Sequence, residues 1–198
     1  LGGALYAGWM LGTDYGPDPL EDLSSNGRNL TKVGSGPGAK ALASSSTNYL
    51  LTPFTQTQLL AVSGSCTLIS VNQINAGQSA ALMAAFRLSP AGNGIGLMAG
   101  SSTTNLVRAV DYSLGAQLDL PSVTARGVDF EFHAATFSAA GRRVYRRRAS
   151  FSVAETATDS TPISSVSAEP FAIGYMPGGG GYTGVGQHAM VLVANKAL

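Results

Sequence analysis

This chain has little charge. Asp, Glu, Lys and Arg make up 12% of its 198 residues, against roughly 25% in an ordinary soluble domain. A surface so poor in charge must consist largely of Ser, Thr, Asn and Gly, or be partly covered by neighbours. Cysteine is almost absent, and Cys66 alone excludes an internal disulfide. It sits in the β-rich run 65–71 and is expected to behave as a small buried hydrophobe. A secreted eukaryotic domain of this size more often carries disulfides, so assembly in a reducing bacterial cytoplasm followed by release is the better expectation. With two histidines, His133 and His188, and one cysteine far apart, a four-ligand zinc site is disfavoured. No run of 18 or more apolar residues occurs, so no membrane span is expected. The apolar stretch 1–11 lacks a basic flank and reads as a first strand or an assembly contact rather than a signal peptide.

What is present points to strands. Gly 25 and a high Ser/Thr content supply turns, with clear breaks at 34–38, 89–94 and 177–181. Strand signals recur between such breaks without a long amphipathic helix, the pattern of a sandwich or barrel. About 200 residues suits one domain of this kind, long enough to bury roughly 70% of its unfolded surface. The clearest alternation runs over 128–134. Val128, Phe130, Phe132 and Ala134 share one face and Asp129, Glu131 and His133 the other, which predicts an apolar core side and a solvated acidic side. A second sets Tyr145, Arg147, Ala149, Phe151 and Val153 against Arg146, Arg148, Ser150 and Ser152. Residues 189–194 are apolar on both faces and predict a central strand buried on two sides. Residues 79–86 have high helix propensity, but so short a stretch makes only a marginal helix, and its β context predicts a strand.

Chemistry is sparse. The histidines have no Gly-x-Ser-x-Gly nucleophile elbow and read as structural. The glycines at 178–181 lack the helix start and Gly-Lys-Ser/Thr ending of a phosphate loop. The unusual feature is an arginine cluster. Arg142, Arg143, Arg146, Arg147 and Arg148 supply nearly half of the 12 basic residues. Arg142, Arg146 and Arg148 alternate onto the face opposite Tyr145. Arginine suits bidentate recognition of phosphate or carboxylate, so these three are the candidate contacts to an acidic glycan, a lipopolysaccharide phosphate or an acidic patch on a neighbouring subunit. Residues 1–27, with Asp14, Asp18, Glu21 and Asp22 and no base, could supply that patch. The competing reading is an edge strand protected from aggregation by charge. Nucleic acid is disfavoured because the rest of the chain is not basic.

Motifs at the two ends carry a resemblance. Asp22, Ser25, Asn26, Gly27 and Leu30 stand near the start. Phe171, Ala172, Ile173, Gly174 and Tyr175, then Tyr182, Thr183 and Gly184 and the run 190–198, close the chain. Tyr49–Pro53, Cys66–Val71 and Phe132–Ser138 fall between them in matching order. Over residues 20–198 the chain resembles the concanavalin A-like, laminin-G-like jelly-roll domains, although the family's Trp in the 66–71 strand and its Asn-Gly turn after Tyr145 are missing. The resemblance implies an all-β antiparallel sandwich at 20–198, with 1–19 as an apolar strand or assembly segment. Tyr182 joins Arg142, Arg146 and Arg148 as a ligand or subunit contact. The low-charge, Ala/Ser/Thr-rich style resembles phage tail-fibre and virion decoration proteins carrying this module. It implies a non-enzymatic, oligomeric virion protein, assembled in the host cytoplasm, that contacts other virion subunits and a host-surface glycan. A purely structural assembly role is the alternative.

Some relatives bind calcium, and Asp14, Asp18, Glu21 and Asp22 could supply ligands. No Asp-x-Asp-x-Asp-Gly loop occurs, so a solvated acidic turn is expected and no cofactor is assigned. Laminarinase-like glycoside hydrolases share the fold and need two carboxylates flanking the scissile bond. Asp129 and Glu131 resemble the last two acids of their motif, but Gly127 stands where the nucleophile should be.

Overall fold

The computed structural model describes residues 4–16, 18–45, 47–74, 80–85, 94–99, 107–111, 116–120, 129–148, 154–164, 167–174 and 186–198. Two antiparallel sheets face each other. The first runs, in spatial order, β1 (Leu5–Met10), β14 (Gly186–Ala194), β5 (Cys66–Ile74), β10 (Glu131–Ser138), β11 (Gly141–Arg148) and β12 (Glu155–Asp159), with β3 (Leu42–Ser44) also paired to β14. The second runs β2 (Thr31–Val33), β4 (Tyr49–Thr55), β13 (Pro170–Ile173), β6 (Ala80–Ala85), β7 (Ile95–Ala99), β8 (Val107–Asp111) and β9 (Ala116–Leu120). This is the antiparallel β-sandwich that the strand pattern predicts, and 80–85 is a strand as expected. The one α-helix among the described residues, α1 (Gln56–Leu60), is closed by a capping box between Thr55 and Gln58.

The core lies between the sheets. Trp9 and Phe54 stack at 6.3 Å, while Tyr6 and Phe171 meet Phe54 edge-on at 4.9 and 6.0 Å. Residues 1–19, expected as a strand or assembly segment, thus supply β1, which pairs with β14 and places Trp9 in this core. Cys66 is fully buried, and burial pushes its thiol well above the ordinary range. Among the described residues, no helix is long and apolar enough to cross a membrane.

The opening motif has a definite structural job. Strand β1 lies at an edge, where backbone groups lack a neighbouring strand. The loop 22–28 supplies the partners. The Asp22 carboxylate accepts from the Gly8, Ser24 and Arg28 amides at 3.0, 2.9 and 2.9 Å and from the Ser24 hydroxyl at 2.6 Å. Asn26 and Arg28 donate to the Tyr6 carbonyl, and the Arg28 guanidinium covers the Tyr6 ring at 3.7 Å. Gly27 turns the loop at φ +65°, where a side chain would be strained. Burial raises the Asp22 pKa, but the Ser24 hydroxyl and the three amides outweigh it and hold the group below its usual value. Asp22 is therefore an edge clip and not the solvated acid expected. Replacing it by alanine should cost about 1–3 kcal/mol, because several donors lose one acceptor. Urea unfolding of D22A measures this; an unchanged midpoint would remove the clip's role.

Candidate functional site

Strands β10 and β11 form a regular ribbon joined at Ala139–Ala140, with Phe132 opposite Arg147, His133 opposite Arg146 and Ala134 opposite Tyr145. The period-2 alternation is the one predicted, but its faces are reversed. Glu131, His133, Arg142 and Arg146 point inward and are 5%, 1%, 4% and 0% exposed, while Phe130 and Phe132 are 37% and 38% exposed. The acidic side expected in solvent is inside because its charges neutralise one another.

Glu131 is the hub. Its carboxylate accepts from Arg146 Nε at 2.7 Å and Nη2 at 3.1 Å, pairs with Arg148 Nε at 2.5 Å, and lies 3.1 Å from His133 Nε2. Desolvation alone would raise its pKa. The hydrogen bonds and charges of His133 and Arg146 prevail and hold it at about 2. On its far side His133 Nδ1 lies 3.0 Å from the Asn72 amide nitrogen, which also donates to Ser70. Arg142 pairs with Asp159, held below the usual carboxylate range because Arg142 outweighs burial.

A bulge extends this buried polar row to β14. One extra residue between His188 and Met190 shifts the register, so His188 faces Asn72 while Val191 and Val193 face Ser70 and Leu68. Both an even and two odd positions of β14 therefore point inward. His188 is fully buried, with Nε2 at 3.0 Å from the Ser44 hydroxyl. Burial, and then the charge of His133, depress its pKa to about 4.

Of the residues proposed for contact, Arg142 and Arg146 are thus buried ion-pair partners, and Arg148 turns to Glu131. That corrects their assignment to an accessible face. Nor does β11 form an edge, since it lies between β10 and β12. Tyr182 and the 178–181 loop lie outside the described residues. Asp129 is exposed while Glu131 is buried, so the two carboxylates do not share an open face. Among the described residues, no group of three or more His, Cys, Asp or Glu could hold a metal ion.

The accessible chemistry is on the other side of the same ribbon. Ile69, Phe132, Ala134, Thr136 and Tyr145 line an outward recess of about 200 Å³. Tyr145 is half-buried there, flanked by exposed Arg143 and Arg147 at two residues either way. Arg143 lies 5.8 Å from the Tyr145 ring and donates to its hydroxyl at 3.1 Å. Among the described residues, neither Arg143 nor Arg147 pairs with a carboxylate. The arginine spacing in the sequence signalled both rows equally; only burial separates them.

No protein-family profile matches the chain, and no curated protein matches it. Solved structures do. Trypanosoma rangeli sialidase in complex with 2,3-difluorosialic acid aligns with a TM-score of 0.69 at 14% identity, over 98% of this chain and 31% of the sialidase. The CBM40 of the Ruminococcus gnavus IT-sialidase, bound to α2,3-sialyllactose, aligns with a TM-score of 0.52 at 15% identity, over 68% of this chain and 77% of that one. The chain thus spans about a third of the length of the Trypanosoma sialidase. At these identities the likeness is one of fold: an all-β sandwich of the kind found in sialidase structures.

Proposed function

We propose that this domain is a non-catalytic, lectin-like glycan-binding module for acidic sugars, using the outer face of the β10–β11 ribbon. The observation that carries the reading is the recess at Phe132 and Tyr145 between the exposed Arg143 and Arg147. Aromatic faces stack on the C–H surface of a sugar ring, and guanidinium groups bind carboxylates bidentately. The sialyllactose-bound carbohydrate-binding module among the similar folds supports an acidic sugar as ligand. A non-catalytic role rests on Glu131. It is clamped between two arginines inside the sandwich and cannot flank a glycosidic bond in an open cleft. Membership of the concanavalin-like lectins, and a place on a virion surface among other subunits, belong to the same proposal. The end motifs support the first, and the low-charge composition the second.

A glycan array followed by titration calorimetry tests this. Binding should concentrate on sialylated and other acidic glycans, with no release of reducing ends. Tyr145→Ala should weaken binding by about tenfold or more and lower the thermal midpoint only modestly, because the half-buried ring lies on the outer face and not in the core between the sheets. A blank array, or cleavage of any bound glycan, would overturn the proposal.

A further inference from the structure

We infer that this site takes an acidic glycan chain along its length, held at two points, rather than a single terminal acidic sugar. The inference rests on the glycan-binding reading above and adds its mode. A second recess of about 250 Å³, lined by Thr136, Ser138, Gly141, Arg143, Thr158 and Asp159 among others, opens beside the first. The two recesses share Thr136 and Leu198, so they meet on the outer face of the ribbon. Their linings differ: the first is aromatic and aliphatic, the second rich in hydroxyls.

Cross-strand pairing fixes the order along the groove. Arg147 lies opposite Phe132, Tyr145 opposite Ala134, and Arg143 opposite Thr136. The arginines are four residue steps apart along the strand, roughly 13 Å at the backbone. That distance exceeds one pyranose ring. A lone sugar in the first recess meets one guanidinium well, whereas a chain with repeated carboxylates meets both and lays a further ring over the second recess. The acid in that recess, Asp159, is paired with Arg142 and so opposes a polyanion little. The occupant is therefore a glycan with acidic groups on successive or alternate sugars. Its second contact forms intramolecularly, which raises affinity without any new class of interaction.

Titration of the intact domain with sialic acid, α2,3-sialyllactose and α2,8-linked sialic acid oligomers of increasing length tests the mode, with oligogalacturonides as a second polyanion. Affinity should climb by about tenfold to a hundredfold from one acidic residue to several and then level off. Arg143→Ala and Arg147→Ala should each flatten that climb while leaving some binding of the single sugar. Retained binding with a flat length profile, or a climb that both variants preserve, overturns the two-point mode alone. Absence of binding to every glycan overturns the glycan reading and the mode with it. If the domain self-associates, and Arg143→Glu with Arg147→Glu disperses it without changing any glycan titration, the groove holds an acidic segment of another copy and the inference fails.

Discussion

Replacing Glu131 by glutamine should destabilise the domain by about 3–5 kcal/mol, the cost of leaving buried charge without its counter-ion. The side chain keeps its shape, so packing is preserved and the effect reports charge. Among the described residues, Arg146 would keep Glu155 at 3.7 Å as its one carboxylate neighbour, and Arg148 would lose the carboxylate that lies 2.5 Å from its Nε. Against a typical total of about 5–15 kcal/mol, such a loss removes much of the stability. Urea unfolding of the wild type, E131Q, R148M and the double variant checks it. The double variant should lose less than the sum of the singles, since removing both partners leaves fewer stranded charges. Additive losses, or an E131Q midpoint equal to wild type, would mean that Glu131 is not the hub that the geometry makes it.

Acid should unfold the protein in two stages. His188 is fully buried with its pKa depressed from 6.5 to about 4. The unfolded chain then binds a proton that the folded chain refuses, so stability falls as pH drops from about 6.5 to 4. Glu131 is depressed from 4.5 to about 2. Its stabilisation is complete above the unfolded value and disappears as pH falls from about 4.5 to 2. Each shift corresponds to about 3 kcal/mol. Thermal or urea unfolding across pH 7 to 2 should show the first loss in wild type and its absence in His188→Gln. A flat profile between pH 7 and 5 would contradict the burial of a neutral His188.

Much of the scaffold was legible in the residues. The strand pattern and turn spacing predicted a sandwich. Phe132, Ala134 and Tyr145 showed their alternation, and the run 189–194 predicted the strand that sits between β1 and β5. The buried thiol of Cys66 followed from its neighbours. The proposed site was legible only as a density of arginines. Ordinary hydrophobicity assigns Phe132 to the core and Glu131 to water, and here the order is reversed. Such a reversal needs two strands to bring a carboxylate, an imidazole and two guanidinia together, and the sequence separates Glu131 from Arg146 by 14 intervening residues. The inward turn of His188 was hidden further, because a bulge breaks the alternation that would have located it.

By itself, then, the sequence determined an all-β chain and a basic strand with two faces, since period-2 alternation and turn chemistry are local. Tertiary structure alone decided which arginines are internal ion pairs and which meet solvent. Burial of charge depends on partners from other strands, and those partners are assembled only when β5, β10, β11 and β14 pair.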